Sequence, residues 1–433
     1  MHDRDKVLYS EAFQRLAQIT QVTASESGYV FHNRLSHSLK VAQIGRRLTE
    51  SLKRVVEGGF INGSAATMIG DLDEDAVEAG CLAHDLGHPP FGHIAEQELQ
   101  ALTRATTHGT RVSPGLPGLF EGNAQSFRIA TDLEMTSGSP GFNFTRQTLD
   151  ALLKYPWPYS ARASGGGPSG KWGYYETDGD AFDWVRKFDP VPANARRPRS
   201  LEAEIMDWAD DLTYAVHDVE DFYCAGLIPL QLLGSAQGNG GTLNRFKNVM
   251  TEVQDRQEDK LAFAPDELAS TVESIIGYAH TVPVAAFDGS DAQRRQLHRF
   301  GSDLITEFLS AFTLENSTDG YVLLRIDDDA RKKVEALKAL VHAFVIQRPS
   351  MAESQHGQRH VIRQLFEHYL GAVEAVNADG RTLPYRYRLR LKRCKSSDDR
   401  MRLVVDLVSG LTEEEAYRVH RRLTGRSRMT ALV

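Results

Sequence analysis

The feature that most constrains this chain is residues 79–96, where an apolar helical segment runs directly into a cluster of ionisable side chains. Three histidines and two carboxylates fall within thirteen residues: His84, Asp85, His88, His93 and Glu96. The residues before His84 are small or apolar and predict the buried end of a helix. A buried, unpaired carboxylate is costly, whereas a metal ion satisfies an adjacent His and Asp at once. A structural His-Asp hydrogen bond explains the dipeptide alone equally well, but the density of the full string favours an active site.

Composition restricts the class of protein. The chain has 433 residues, of which 41% are hydrophobic and 25% charged, which is typical of a globular protein with ample core. It contains no apolar run of about 18 residues, so we expect a cytoplasmic protein without a membrane partner. The three cysteines have no paired spacing, which argues against a disulfide framework or a zinc-thiolate site. The net charge of −8 argues against a general nucleic-acid coat.

Hydrophobic periodicity predicts a mainly α fold. Residues 34–55 carry an apolar stripe at helical spacing, and residues 71–83 predict a second helix that leads into the cluster. Residues 58–70 are rich in Gly, Asn, Ser and Thr and predict a connection between the two. Residues 144–154 predict another helix, with Lys154 at its end. Residues 321–326 fit either a short strand or the start of a helix.

A predicted helix over residues 202–222 has an unusual polar face. Its apolar residues fall within one arc of about 140°, and a second arc of roughly 80° contains Asp207, Asp210, Tyr214, Asp218 and Asp221. This acidic stripe lacks the interspersed Lys or Arg that normally relieves repulsion between like charges at four-residue steps. A stripe of carboxylates is usually a solvated face. A face directed at a cation is the alternative, and it supplies further ligands.

These pieces combine into one ligand set from three separate helices: His37, His84, Asp85 and Asp210. Nitrogen and oxygen ligands without thiolate suit Mn, Fe, Co, Ni or Mg better than a structural zinc. Arg34 precedes His37 by one turn, which fits an anion bound beside the metal. The three-residue spacing of His93 and Glu96 suits general acid/base catalysis, because a neighbouring carboxylate fixes the tautomer of a histidine and raises its pKa.

The motifs resemble those of the HD-domain phosphohydrolases. The strings at residues 34–39, 84–96, 121–125, 153–155 and 210–218 are similar to those of the deoxynucleoside-triphosphate triphosphohydrolases, the bacterial dGTPase family. The similarity spans residues 31–221, with a fainter echo at residues 405–423. It implies a helical HD-domain core with the active site in residues 1–230. It also implies a mostly helical C-terminal region, residues 231–433, for oligomerisation or regulation.

The resemblance also implies a role for each matching residue. His37, His84, Asp85 and Asp210 bind the metal, His93 and Glu96 activate water or protonate the leaving oxygen, and His88 lies near the phosphates. Tyr214 and Asp218 recognise the deoxyribose. The remaining residues position the triphosphate: Arg34, Asn123, Lys154, Tyr155 and Lys171. The implied reaction is attack at the α-phosphorus, which converts a dNTP, with dGTP a candidate, into a deoxynucleoside and inorganic triphosphate and so contributes to control of dNTP pools.

Several alternatives remain open at this stage. Another HD-type nucleotidase or phosphodiesterase fits the short motifs, and a regulator that binds nucleotides or single-stranded nucleic acid fits the basic segments at residues 386–395 and 418–428. Solvated helix faces or interface ion pairs are the simpler interpretation of those segments. The resemblance implies a homo-oligomer, tetrameric or hexameric, and leaves open an allosteric dNTP.

Overall fold

The structure is a computed structural model of the chain. It describes residues 2–21, 32–59, 63–104, 106–108, 111–113, 115–136, 138–164, 170–188, 199–231, 271, 275, 285–316, 322–346, 348–375 and 380–425.

Helices make up most of the described chain, which confirms the predicted mainly α class. The helices before residue 231 are α1 (Asp3–Leu8), α2 (Glu11–Arg15), α3 (Arg34–Glu57), α4 (Ser64–Gly70), α5 (Glu74–Ala83), α6 (His93–Thr103), α7 (Gly122–Arg128), α8 (Arg146–Ala151), α9 (Gly179–Val185) and α10 (Leu201–Cys224). The later helices are α11 (Asp291–Ser310), α12 (Asp328–Val341), α13 (Pro349–Glu374), α14 (Tyr385–Leu391), α15 (Ser397–Ser409) and α16 (Glu413–Leu423). None of the described helices is long and apolar enough to cross a membrane.

The described strands form three short antiparallel hairpins. They pair β1 (Thr106–His108) with β2 (Arg111–Ser113), β3 (Met135–Thr136) with β4 (Ser139–Pro140), and β5 (Phe312–Asn316) with β6 (Val322–Ile326). Shorter 3₁₀ turns cover Leu16–Gln18, Tyr159–Ser164 and Glu176–Asp178, and π-helical turns cover Ile129–Leu133 and His342–Ile346. The ambiguous residues 321–326 thus include a strand, because β5 supplies the partner that six residues of sequence do not reveal.

Two predicted boundaries were wrong for identifiable reasons. The predicted connection at residues 58–70 contains helix α4, whose Ile69 is fully buried, so burial of one apolar side chain outweighs a weak local preference. The predicted helix at residues 144–154 ends at Ala151. Pro156 disfavours a helical conformation for the residue before it, so Lys154 lies in the connection after α8 rather than in its last turn.

A first hydrophobic cluster packs α3, α5, α8 and α10 together and extends to α11 and α12. Helices α3 and α5 approach so closely that a Cβ on Gly45 would lie 2.6 Å from Cys81 Sγ. The cluster includes Leu212, Leu304 and Leu337, and so joins residues on both sides of position 230. The division at residue 230 stays a prediction.

A second hydrophobic cluster lies on the other side of the active-site motif. It joins Ala95 and Leu99 of α6 to Leu365 of α13 and Val404 of α15. Helix α13 packs against α6, α15 and α16. The helix that begins at His93 is therefore held by the C-terminal part of the chain, whereas α3, α5 and α10 belong to the first cluster.

Candidate active site

The turn between α5 and α6 brings the motif residues together. Helix α5 ends at Ala83, and α6 begins at His93 after two residues with positive φ, Phe91 at 69° and Gly92 at 57°. Gly92 is suited to this backbone because it has no Cβ, and a Cβ there would lie 3.0 Å from an Arg34 nitrogen.

The four predicted metal ligands converge. His37, His84 and Asp85 each offer a ligand atom, and these atoms all lie within 4.8 Å of one another. Asp210 Oδ1 lies 3.1 Å from His37 Nε2 and 3.6 Å from His84 Nε2. Helices α3 and α10 and the end of α5 thus contribute two imidazoles and two carboxylates to one position.

The hydrogen bond of His84 suits a metal ligand. Burial lowers the pKa of His84 less than Asp85 and Asp210 raise it, to about 9, so a cation that binds must displace the proton from Nε2. Its Nδ1 lies 2.6 Å from the carbonyl oxygen of Cys81, and because a carbonyl only accepts, Nδ1 must donate. In a neutral ring this hydrogen bond leaves Nε2 with its lone pair directed away from the backbone. Nε2 is buried and makes no hydrogen bond to the described residues. A buried acceptor of this kind, beside two carboxylates, fits a divalent cation.

The carboxylates of this set remain ionised. Burial raises the pKa of Asp85, but His84, His88 and Arg34 outweigh it and hold the pKa well below its usual value. Burial likewise raises the pKa of Asp210, and Lys154 reverses the shift, so that this pKa also lies well below the usual range. Two ionised carboxylates balance the charge of one divalent ion.

His93 and Glu96 form a hydrogen-bonded pair beside this cluster. His93 Nδ1 donates to Glu96 Oε2 at 2.8 Å, and the backbone N–H of Gly122 donates to Glu96 Oε1 at 3.0 Å. Glu96 is buried, whereas the side chain of His93 is 60% exposed, so the free edge of the imidazole is accessible. Burial raises the pKa of Glu96, but Lys171 and His93 outweigh it and keep the carboxylate ionised.

His88 connects the two groups. Its Nδ1 lies 3.0 Å from Asp85 Oδ1, and its ring centroid lies 5.5 Å from that of His93. Burial, with Arg34 adding to it, lowers the pKa of His88 to about 4, so the ring is neutral at neutral pH.

Three of the predicted residues that border the site are cations. Arg34 Nη1 donates to Asp85 Oδ2 at 2.6 Å. Lys154 lies between two carboxylates of α10, 2.7 Å from Asp207 Oδ1 and 2.9 Å from Asp210 Oδ2. Asp207 and Asp210 of the acidic stripe of α10 thus face the cation Lys154, and the prediction that the stripe supplies a metal ligand stays a prediction. A site with several cations beside a set of metal-ligating side chains is suited to bind a polyphosphate.

The third cation, Lys171, lies beside a carboxylate that the sequence did not single out. Its Nζ is 4.0 Å from Glu121 Oε1, which also accepts a hydrogen bond of 2.6 Å from Asn123 Nδ2. Burial raises the pKa of Glu121 to about 8, and the nearby Glu96 adds to the effect. Two buried carboxylates therefore share Lys171, and Glu96 is the one that ionises first.

One cavity of about 420 Å³ contains most of the predicted residues. Its walls include Arg34, His37, His84, Asp85, His88, His93, Asn123, Lys154, Tyr155, Lys171, Asp210 and Tyr214. Glu96 and Asp218 do not line it. Asp218 lies one turn after Tyr214 on α10, is 3% exposed, and its Oδ2 makes no hydrogen bond to the described residues. Burial, with Asp221 adding to it, raises the pKa of Asp218 well above its usual value.

A further part of the cavity wall consists of residues to which local sequence patterns assign no role. That wall consists of Gln21, Phe91, Ile94, Gln97, Ile346, Met351, Gln355 and Arg359. The last three residues follow one another at four-residue steps on α13, which places them on one face of that helix. Nothing local distinguishes them from the solvated face of an ordinary helix.

Known proteins match the chain over nearly its full length. An HD domain matches residues 34–114, and a phosphohydrolase-associated domain matches residues 324–422. A deoxyguanosinetriphosphate triphosphohydrolase-like protein of Streptomyces coelicolor is 36% identical, over 98% of this chain and 92% of the relative. Proteins with the same description from Corynebacterium efficiens and Corynebacterium glutamicum are 31% and 30% identical, over 98% and 97% of this chain and 90% and 89% of the relatives.

The chain belongs to this deoxyguanosinetriphosphate triphosphohydrolase-like family. Membership confirms the predicted family and HD-domain fold and identifies the chain as an HD-domain phosphohydrolase with residues that fit a metal. The matched HD domain covers His37, His84, Asp85 and His93 and ends before Asp210. The matched phosphohydrolase-associated domain covers Gln355 and Arg359.

In this triphosphohydrolase-like chain the basic segments are partly used in ion pairs. Arg390 donates to Asp132 Oδ2 at 3.0 Å, and Arg421 lies 3.3 Å from Glu414. Residues 426–428 of the second segment lie outside the described residues. Binding of single-stranded nucleic acid to either segment stays a prediction.

Proposed function

We propose that this protein is a metal-dependent dNTP triphosphohydrolase that converts a dNTP, dGTP among them, into a deoxynucleoside and inorganic triphosphate. One observation carries the proposal. The two-histidine, two-aspartate set, the His93–Glu96 pair and the three cations Arg34, Lys154 and Lys171 all converge on one cavity or its immediate wall. Each group answers a separate requirement of phosphoryl chemistry: charge neutralisation, proton transfer and positioning.

His37, His84, Asp85 and Asp210 are the residues that we propose hold the divalent ion, of the class Mn, Mg, Co, Ni or Fe. Support comes from His84 Nε2, which is buried without a hydrogen bond to the described residues, and from two carboxylates whose pKa values lie well below their usual range. When bound, such an ion polarises a phosphoryl group and lowers the pKa of a water molecule.

His93 is the residue that we propose moves the proton. Its Nδ1 is engaged by Glu96, so Nε2 is the atom that takes a proton from the attacking water or gives one to the 5′-oxygen that leaves the α-phosphorus. When His93 takes a proton from the attacking water, ionised Glu96 stabilises the imidazolium that forms. The buried N–H of Gly122 holds the second oxygen of Glu96 and fixes the orientation of the pair. His88, neutral and close to Asp85, faces the phosphates in this proposal.

The remaining residues position the substrate in this proposal. Arg34, Lys154 and Lys171 neutralise the triphosphate, with Asn123 and Tyr155 beside them. Tyr214 occupies the place of a 2′-hydroxyl and thereby favours a deoxyribose. Asp218, which does not itself line the cavity, accepts a hydrogen bond from the 3′-hydroxyl, and its unpaired Oδ2 supports this role.

Incubation of the protein with dGTP and Mn²⁺ in ¹⁸O-labelled water tests the reaction. We expect deoxyguanosine and inorganic triphosphate in equal amounts, with the label in the triphosphate because water attacks phosphorus. Orthophosphate or pyrophosphate as the primary product would favour another HD-type nucleotidase or phosphodiesterase. Absence of any hydrolysis, with nucleic-acid binding retained in the His84→Ala variant, would favour the regulator.

Assembly and physiology belong to the same proposal. We propose a homo-oligomer, tetrameric or hexameric, that acts on cytoplasmic dNTP pools and responds to a second dNTP as activator. Light scattering with and without each dNTP tests the assembly, and assays with the four dNTPs singly and in pairs test activation. A monomer under all of these conditions would contradict the first part, and strictly additive rates would contradict the second.

A further inference from the structure

Beside the proposed metal-ligand set lies a second group of side chains with the geometry of metal ligands. His88, His93 and Glu96 each offer one ligand atom, and these atoms all lie within 4.8 Å of one another. The two groups are neighbours, because Asp85 Oδ1 lies 3.4 Å from His84 Nε2 and 3.0 Å from His88 Nδ1. The proposed reaction uses His93 and Glu96 for proton transfer and assigns no ion to them.

One nitrogen of this second group is buried without a hydrogen bond. The His88 residue is 6% exposed, and its Nδ1 makes no hydrogen bond to the described residues. Its 3.0 Å contact with Asp85 Oδ1 lacks the alignment of a hydrogen bond. A buried polar atom without a partner is costly, so the ring favours a ligand that satisfies it.

His93 and Glu96 are spaced like two ligands of one ion. Zinc–nitrogen and zinc–oxygen bonds are about 2.0–2.2 Å long, so neighbouring ligand atoms of one ion lie roughly 3 Å apart. His93 Nδ1 lies 2.8 Å from Glu96 Oε2. The backbone N–H of Gly122 donates to Glu96 Oε1 and thereby holds the carboxylate with Oε2 directed at His93. The His93 side chain is 60% exposed, so an ion can reach this pair from solvent.

The ligand types favour zinc at this position. Two histidines and one glutamate, with a fourth position open, are a known ligand set for zinc. Nitrogen ligands bind Zn²⁺ more tightly than Mn²⁺, and Mg²⁺ prefers oxygen ligands. The position offers one carboxylate where the first set offers two, and Lys171 lies close to Glu96. We therefore expect zinc to fill it only when zinc is in excess.

An ion at this position would prevent proton transfer by His93. The neutral imidazole has one proton, which Nδ1 donates to Glu96 Oε2. When an ion takes the lone pair of Nδ1, the same proton moves to Nε2, so the ring neither gains nor loses a proton. Nε2 then has no lone pair with which to accept a proton from water. Glu96 binds the ion and no longer stabilises an imidazolium.

We propose that His88, His93 and Glu96 form a second site for a divalent cation of the zinc class, and that an ion bound there inhibits the enzyme. The inhibitory effect rests on the proposed function, because it takes the role of His93 from it. The binding of the ion rests only on the geometry of the three side chains.

Zinc binding in the absence of nucleotide tests the site. Equilibrium dialysis against excess Zn²⁺, followed by inductively coupled plasma mass spectrometry, gives the number of ions per chain. We expect two in the wild type and one in each of His93→Ala, Glu96→Gln and Asp210→Ala. The matched control is His298→Ala, which removes an exposed histidine of α11 that contacts Ser302 and should keep both ions. Thermal unfolding checks the fold of each variant.

Two results of the binding measurement would overturn the site. The first is a wild type that binds a single zinc ion. The second is two ions per chain in both His93→Ala and Glu96→Gln, because the second ion would then lie elsewhere on the protein.

Inhibition is measured as the ratio of kcat for the wild type to kcat for His93→Ala, with dGTP and Mn²⁺ and with increasing Zn²⁺. Any effect of zinc at the first metal position is common to both proteins and cancels in this ratio. We expect the ratio to fall from about 10²–10⁴, the usual contribution of general acid/base catalysis, to about one. A ratio that does not change with zinc would overturn the inhibitory role.

The two measurements separate this site from the proposed function. Two zinc ions per chain, with the expected loss in His93→Ala but without hydrolysis of any dNTP, would support the site and refute the proposed reaction. Release of triphosphate from dGTP by a protein that binds a single zinc ion would support the reaction and refute the site.

Discussion

Arg34 and Asp85 are joined by a buried hydrogen bond of 2.6 Å, from Nη1 of the guanidinium to Oδ2 of the carboxylate. The other carboxylate oxygen, Oδ1, lies 3.4 Å from His84 Nε2 and 3.0 Å from His88 Nδ1. Arg34 thus occupies one oxygen of Asp85 and directs the other towards the proposed metal position. A residue that holds a ligand in this way contributes to metal affinity without touching the ion.

We therefore predict that Arg34→Ala weakens Mn²⁺ binding by about 10–100-fold, the usual effect of losing a group that orients a ligand. Removal of the guanidinium also removes its repulsion of Mn²⁺, which raises the affinity. We expect this gain to be smaller than the affinity lost when the carboxylate of Asp85 rotates freely. Isothermal titration with Mn²⁺ in the absence of nucleotide measures the effect.

The control for this prediction is Arg46→Ala. Arg46 lies on the same helix α3 and pairs with Asp75 and Glu78, away from the cavity. Its removal should leave the Mn²⁺ affinity unchanged. Equal or tighter binding in Arg34→Ala would show that repulsion between the guanidinium and the ion outweighs the orientation of Asp85.

Asp210 and His93 should behave differently when each is removed. Asp210→Ala loses the metal and the activity together, because a proposed ligand is gone. His93→Ala keeps the metal and loses about 10²–10⁴-fold in kcat, the usual contribution of general acid/base catalysis. Metal content after dialysis, measured by mass spectrometry, together with kcat separates the two.

Asp207→Asn is the matched control for Asp210. Asp207 lies on the same helix and also contacts Lys154, but its carboxylate pairs with Arg199, whereas that of Asp210 lies beside His37 and His84. We expect Asp207→Asn to keep the metal.

Full turnover in His93→Ala would refute the role given to that residue.

Glu121 should make stability depend on pH. Its pKa is raised to about 8, first by burial and then by Glu96. Between the ordinary Glu pKa of about 4.3 and this value, the folded state binds more protons than the unfolded state, so stability falls as the pH rises. Glu121→Gln removes this titration and keeps an oxygen that accepts from Asn123. The difference in Tm between Glu121→Gln and wild type should therefore increase in favour of the variant from pH 5 to pH 8.

The control for Glu121→Gln is a carboxylate outside the buried site that contains Glu121, Glu96 and Lys171. Glu353→Gln, on the exposed face of α13, measures the general effect of replacing a glutamate by glutamine. A variant of Glu121 that becomes less stable than wild type as the pH rises would contradict the assignment, because it would show that Lys171 stabilises the ionised form of Glu121.

Arg15 should contribute to stability through the backbone of the active-site turn. Its Nη2 donates to the carbonyl oxygens of Leu86 and His88 at 2.7 and 2.8 Å, and its Nη1 donates to those of Ser409 and Leu411 at 3.1 Å each. Arg15→Met leaves these carbonyls without their donor, and we expect the free energy of unfolding to fall by about 1–3 kcal/mol. Urea denaturation monitored by circular dichroism measures the loss.

Arg4→Met provides the comparison for Arg15. Arg4 pairs with Glu78, and its side chain is 46% exposed. Removal of such a surface pair should cost less than about 1 kcal/mol. Equal stability of Arg15→Met and Arg4→Met would contradict the prediction, because it would indicate that water replaces the guanidinium between the four carbonyls.

The sequence predicted those features that depend on residues close together in the chain. The long helices α3 and α10 follow from apolar spacing, and the metal-ligand set follows from the density of histidines and carboxylates around His84 and from the acidic stripe with Asp210. These signals arise within a few turns of chain, so distant contacts are not needed to detect them. The resemblance to a known family then supplied Lys154, Lys171 and Asn123, which mean little by themselves.

Long-range packing explains what the sequence did not reveal. Gln355 and Arg359 are ordinary polar residues of a helix until α13 packs against α6, which places both in the wall of the cavity and Arg359 beside Gln97. Glu121 caps helix α7, and only the fold brings it near Glu96 and Lys171. The helix α4 likewise depends on a core position for Ile69 that no neighbouring residue specifies.

The separation of the interior into two hydrophobic clusters has a consequence for turnover. The helices that carry His37, His84 and Asp210 are anchored in one cluster, and the helix that begins at His93 is anchored in the other. A small rigid displacement of one cluster relative to the other would change the distance between His93 and the proposed metal ligands, without changing the distances among those ligands. We therefore expect substitutions within the second cluster, which holds α6, to change the rate more than the metal affinity.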